Sequence, residues 1–116
     1  MNKAVLIGRL TKDPEIKFTQ NEKAYTNFTI AVNRPFEKGK ADFINIVAWN
    51  KLAEFINRYF SKGRQIAIVG RLQIRDYEKD GKTIYITEVI ADECYFADSK
   101  KELEINYTEE ENDLPF

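Results

Sequence analysis

Apolar and polar positions alternate with a period of two through most of this chain, in runs broken by charged or glycine-bearing turns. "NKAVLIGRL" opens it, apolar on both faces from Ala4 to Ile7, and reads as a buried strand. Gly8 interrupts that run, as a bend or bulge at a barrel corner does. After the turn "TKDPE", "AYTNFTIAVNR" alternates cleanly. It sets Phe28, Ile30 and Val32 on one face and Asn27, Thr29 and Asn33 on the other. A charged loop, "RPFEKGKA", leads to a third strand, "ADFINIVAW", whose faces are Ile44, Ile46, Ala48 and Phe43, Asn45, Val47, Trp49.

The period then changes to that of a helix. In "NKLAEFINRYFSKG" the residues Leu52, Phe55, Ile56, Tyr59 and Phe60 follow the spacing of a core-facing stripe. Asn50 is the expected N-cap and Gly63 the expected stop. The long strand "RQIAIVGRLQIRDY" follows. Its alternation puts Ile66, Ile68, Leu72 and Ile74 on the core face and Arg71, Gln73, Arg75 and Tyr77 on the other, with Gly70 inside the run. Asp80-Gly81 supplies a hairpin turn. The last strand, "TIYITEVIADECYF", has no single inward parity, since Ile84, Ile86 and Ile90 lie opposite Tyr85, Val89 and Ala91. "EIKFTQ", with Phe18, is a further short strand or a loop.

Three strands, a helix and two strands, with glycines inside long strands, are the element order of the OB-fold. That fold is an all-β, five-stranded Greek-key barrel, here with its helix between strands 3 and 4. A chain of 116 residues has room for one such domain, expected at 1–98, followed by a disordered acidic tail at 99–116.

Composition narrows the chemistry. The chain has no histidine, which removes Ser-His-Asp and Cys-His catalysis and most zinc sites. The acidic residues outside the tail form no facing pair, so no enzyme activity, metal or cofactor is expected. The lone Cys94 cannot close an internal disulfide, fits a reducing cytoplasm, and reads as a small buried hydrophobe beside Phe96. No apolar run is long enough to span a membrane, and "MNKAVLIGRL" lacks the features of a signal peptide. The net charge of −1 hides a split: residues 1–98 carry 16 Lys and Arg against 13 Asp and Glu, and residues 99–116 carry 2 against 6. A mildly basic body thus precedes an acidic end.

The candidate functional residues follow from the outward faces. With Ile44, Ile46 and Ala48 supplying a core face, Phe43 and Trp49 project outward, toward unpaired bases, a loop or a subunit interface. Arg71, Arg75 and Tyr77 place two guanidiniums beside an aromatic ring, the pairing that phosphates and stacked bases require. Phe36 stands in a loop with Arg34, Lys38 and Lys40 and has no apolar partner nearby in sequence. The C-terminal "EEENDLPF" leaves Phe116 behind a block of negative charge, where it either folds back or serves another protein.

Taken together, "NKAVLIGRLTKDPEIKF", "FTIAVNRPF", "DFINIVAWNKLAEF", "KGRQIAIVGRLQIRDYEKDGKTIYITEV" and "DLPF" resemble, in order, the bacterial and phage single-stranded DNA-binding proteins. The resemblance covers nearly the whole chain. It implies base stacking by Phe36, Phe43, Trp49 and Tyr77, although the best-studied members have Trp at the first two and the last and Phe at the third. It implies backbone contacts by Lys3, Lys62 and Arg75. It also implies a homotetramer, a cytoplasmic and nucleoid-associated location, and a tip, Asp113, Leu114, Pro115 and Phe116, that recruits replication and repair enzymes. The segment from Ser99 to Asn112 departs from the family's long Gly-, Gln- or Pro-rich linker, being short and charged. An RNA-binding OB protein and a primosome-type OB adaptor share much of this pattern. The outward aromatics and the tip favour single-stranded DNA.

Overall fold

A computed structural model describes residues 1–98. The tail at 99–116, including the tip residues Asp113 to Phe116, lies outside the described residues. The elements are β1 (Ala4–Leu10), β2 (Lys17–Phe18), β3 (Ala24–Asn33), β4 (Ala41–Trp49), α1 (Asn50–Tyr59), β5 (Gln65–Lys79) and β6 (Lys82–Phe96).

The sheet runs β1-β5-β6-β4-β3-β2, and β1 also pairs with β3, so five strands close on themselves as in the OB-fold. Closure depends on β1 serving two neighbours. Ala4 to Arg9 pair with β5, while Arg9 and Leu10 pair with Ala31 and Ile30 of β3. Gly8 lies just before this change of partner, where a Cβ would sit 2.7 Å from the Ala31 carbonyl oxygen. The close backbone approach is what calls for glycine, and the pairing with β5 runs through it without a shift of register. "EIKFTQ" contributes the two-residue β2, which pairs with the start of β3.

The core is the inward face of each strand. Phe28 and Ile30 of β3, Ile46 and Ala48 of β4, and Ile66 and Ile68 of β5 are all buried, as alternation requires. Each such isoleucine adds roughly 1.5–3 kcal/mol of hydrophobic stabilisation. The helix packs against β3, β4 and β6. Its expected stripe holds, with Ile56 and Phe60 buried and Leu52, Phe55 and Tyr59 half-buried against the core, and it also buries Ala53, which the sequence pattern did not select. Phe60 stacks on Phe96 with ring centroids 4.7 Å apart, tying the helix end to the end of β6. Cys94 lies in the core beside them, and burial pushes its thiol pKa up to about 12, which keeps it protonated.

Both helix boundaries differ from expectation. Trp49, in extended conformation, occupies the N-cap without a side-chain cap bond, and Asn50 has φ +55°. At the other end Phe60 is the C-cap, donating its N–H to the Ile56 carbonyl. Gly63 lies beyond the helix at φ +87°, in the turn that returns the chain to β5, and its N–H meets the Leu10 carbonyl at 2.8 Å. The asparagine opens the helix at positive φ rather than capping it, and the glycine serves the turn that follows.

β5 and β6 carry the larger correction. Leu72 and Ile74, expected inside, are 50% and 65% exposed. Past Gly70 β5 no longer contributes to the core, and beyond the buried stretch of β6 at Glu88 to Ala91 the two strands project as an arm that ends in a type I′ turn, with Asp80 and Gly81 both at positive φ. Where β5 leaves the core, Val69 pairs with Glu93 but Gly70 pairs with Ala91, so Asp92 is an extra residue in a β-bulge. The bulge reverses the parity of β6. Cys94 and Phe96 point inward on one side of it, and Val89 and Ala91 on the other. No single alternation could fit this strand.

Side-chain hydrogen bonds tie the segment after β6 to the start of β5. Asp98 is buried, accepting from Arg64 Nε at 2.6 Å and from the Gln65 backbone N–H at 3.0 Å.

A Cβ at Gly70 would meet the backbone of Ile90 and Ala91, which cannot yield as a side chain can. Gly70→Ala is therefore expected to destabilise the barrel by more than about 1 kcal/mol, beyond the range of ordinary surface substitutions. Urea unfolding that left the two proteins equally stable would show that the bulge does not require glycine.

Candidate nucleic-acid interface

β3 and β4 present a shared outward face. Cross-strand pairing sets Tyr25 opposite Trp49, Asn27 opposite Val47, Thr29 opposite Asn45, and Ala31 opposite Phe43. Aromatic rings thus occupy both ends of a polar row. Phe43 and Trp49 are six residues apart on one strand, about 20 Å at the usual rise. Between them the Thr29 hydroxyl donates to Asn45 Oδ1 at 3.0 Å, which fixes the asparagine and leaves its amide hydrogens available.

The β5–β6 arm supplies the opposite wall. Arg71, Gln73, Arg75 and Tyr77 share one face with Ile90, Glu88, Ile86 and Ile84, their cross-strand partners. The arm and the β3–β4 row enclose a groove with two lobes. One lobe, about 330 Å³, is lined by Lys12, Lys17, Asn27, Asn45, Arg75 and Glu88, among others. The other, about 230 Å³, is lined by Tyr25, Asn27, Trp49, Gln73, Arg75 and Glu88, with Val47 and Ile90. The groove explains why Val47, on the outward face of β4, is nevertheless buried: it pairs with Ile90 across the parallel β4–β6 junction and forms the floor.

The predicted residues divide by location. Trp49, 39% exposed, and Arg75 lie in the groove itself. Phe43, exposed at the far end of the row, borders an apolar depression with Leu6, Ile44, Leu72 and Val89. Tyr77 stands further out on the arm, exposed. Phe36 is 97% exposed in the loop between β3 and β4. Arg71 pairs with Asp92 at 3.5 Å. Arg34 is held by Asp42 and by Glu37, whose hydrogen bonds raise its pKa above the ordinary value, so it reaches a phosphate only by exchanging a carboxylate. Lys3 and Lys62 are exposed, before β1 and in the turn after α1, and neither lines the groove.

Four groove residues are not singled out by the sequence pattern. Tyr25 shares the outward parity of Asn27 and Thr29, a signal that was available. Its ring meets that of Trp49 with centroids 5.2 Å apart and planes 34° from parallel. Lys12 and Lys17 come from the connection after β1 and the start of β2, where no periodicity marks a face. Glu88 follows the β5–β6 pairing, which the bulge hides from simple alternation. Among the described residues no cluster of three or more Cys, Asp or Glu could hold a metal ion, and no helix is long and apolar enough to cross a membrane.

A closed five-stranded barrel whose aromatic and basic groove lies between one sheet face and a projecting hairpin defines an OB-type module. The chain matches the single-strand binding protein family over residues 1–97, and it belongs to that family. It is 54% identical over 106 residues to the single-stranded DNA-binding protein of Fusobacterium nucleatum, covering 86% of this chain and 69% of that protein. It is 55% identical over 101 residues to the protein of that name from Clostridium tetani, covering 83% and 70%. With the one from Oceanobacillus iheyensis it shares 48% over 105 residues, covering 86% and 65%. The chain thus spans roughly two thirds of the length of these relatives.

Tyr25 packs on Trp49, the only tryptophan, so its removal is readable in fluorescence. Tyr25→Ala is expected to increase acrylamide quenching of Trp49 while leaving the unfolding midpoint nearly unchanged. Unaltered quenching would show that Tyr25 does not hold the indole.

Proposed function

We propose that this chain binds single-stranded DNA independently of sequence and without catalysis, protecting it during replication, recombination and repair. The observation that carries the reading is the convergence of the Tyr25–Trp49 rings with Arg75, Lys12 and Lys17 on one groove. Rings accept any base by stacking, and the cations displace counterions from phosphates. The relatives' names supply the same polymer. Phe43 and Tyr77 extend the stacking surface at the two ends. Phe36, Arg34, Arg71, Lys3 and Lys62 are outlying contacts, which the strand meets as it leaves the groove.

The reading extends to assembly and partners. Val5 and Ile7 expose an apolar edge on β1, which a homotetramer would cover. Asp113 to Phe116 form a docking tip for replication and repair enzymes. There the Asp113 carboxylate meets a cation and Phe116 an apolar cleft. The setting is the cytoplasm, on the nucleoid, with residues 1–98 as the DNA-binding unit and 99–116 as the partner-facing tail.

Titration with oligo-dT tests the function. Trp49 emission should be quenched, and affinity should fall steeply with salt. Phe43→Ala should weaken binding by about 1–3 kcal/mol. Unchanged emission at saturating oligomer would remove Trp49 from the binding surface. An RNA oligomer of matched sequence that competed better than DNA would reassign the polymer.

A further inference from the structure

Glu88 is 6% exposed, yet it lines both lobes of a groove that should receive a polyanion. A carboxylate repels phosphate, and stacking does not require one. Glu88 stands directly across the ladder from Gln73 and accepts from Arg75 Nε through Oε1 at 3.1 Å. Among the described residues, Arg75 makes no other hydrogen bond, which leaves its Nη1 and Nη2 hydrogens for a ligand.

The smaller lobe combines three surfaces. Tyr25 and Trp49 form an aromatic wall, buried Val47 and Ile90 an apolar floor, and Gln73, Arg75 and Glu88 a polar end. This is the make-up of a slot for a flat heterocycle with one hydrogen-bonding edge. We propose that it takes a single nucleobase with its edge toward Glu88, and that it favours bases bearing an exocyclic amino group over thymine. The inference rests on the single-stranded DNA reading above and adds to it one position at which the base edge is read.

The chemistry of the edges gives the preference. Cytosine offers its N4 amino group as a donor, adenine its N6 and guanine its N2. Glu88, an acceptor only, takes that donor, while Gln73 or Arg75 donates to the neighbouring ring acceptor. Thymine has no amino group. Its two carbonyls flank a lone N3–H and bring oxygen lone pairs against the carboxylate. The slot therefore discriminates by repulsion as well as attraction.

The change in the oligo-dC to oligo-dT affinity ratio on substituting Glu88 isolates the slot, since the stacking contacts elsewhere are the same in the variant and the unaltered protein. Glu88→Gln keeps size and an acceptor but adds a donor that thymine can use. It should move the dC/dT affinity ratio toward thymine by about fivefold or more, the low end for a specific base-edge contact. Glu88→Asp keeps the charge and withdraws the carboxylate by one methylene, so it should weaken dC binding more than dT binding. If both variants change the two affinities by equal factors, Glu88 acts on charge alone and the slot does not read the base. If the unaltered protein binds neither oligomer, the single-stranded DNA reading fails and this inference with it.

Discussion

The Ile90 carbonyl lies against Gly70, in a space that no Cβ could share. This contact sets the bulge at Asp92, and the bulge divides β5 and β6 into two working parts. Below it, Ile66, Ile68 and Cys94 complete the barrel core with Phe60 and Phe96. Above it, every residue of β5 from Arg71 to Lys79 is exposed and freed from core duty, while Val89 and Ala91 of β6 stay in the core. A straight, unbulged ladder would leave Val89 and Ala91 out of parity with Cys94 and Phe96, and the core would lose one pair or the other. The stronger local twist of a bulge also lets a hairpin leave a barrel at an angle.

Function grows from that departure. The arm rises beside the outward face of β3 and β4, and the space between them is the groove. Val47 and Ile90 give it a dry floor because the parallel β4–β6 junction lies beneath it. Barrel closure through Gly8 holds the β3–β4 row in place behind it. The aromatic and basic side chains are thus mounted on paired strands, and a site on rigid elements keeps its geometry when a flexible polymer arrives.

Much of this was legible in the sequence wherever one alternation governed a whole strand. β3 and β4 alternate without a break, so Phe28, Ile30, Ile46 and Ala48 could be assigned to the core, and Phe43 and Trp49 to the outside. The Asp80-Gly81 turn was legible because both positions take the positive φ that those residues tolerate. Leu72 and Ile74 were misplaced because alternation reports parity and not whether a barrel continues beneath the strand. Glu88 and the inward face of β6 were hidden by a one-residue insertion whose only mark in sequence is Gly70, and on the partner strand at that. Lys12 and Lys17 came from segments without periodicity, where proximity arises from topology alone. The helix caps failed for a related reason: Asn50 and Gly63 both take positive φ, the first inside the helix start and the second in the turn beyond its end.

The central claim is that one surface, the β3–β4 row facing the β5–β6 arm, receives the nucleic acid. Amide chemical-shift mapping with an oligo-dT titrant tests it most directly. The largest shifts are expected in Tyr25 to Ala31, Phe43 to Trp49, and Arg71 to Tyr77, with little change along the outer edge of β1 at Val5 and Ile7. Shifts concentrated at that β1 edge, with the groove unperturbed, would contradict it.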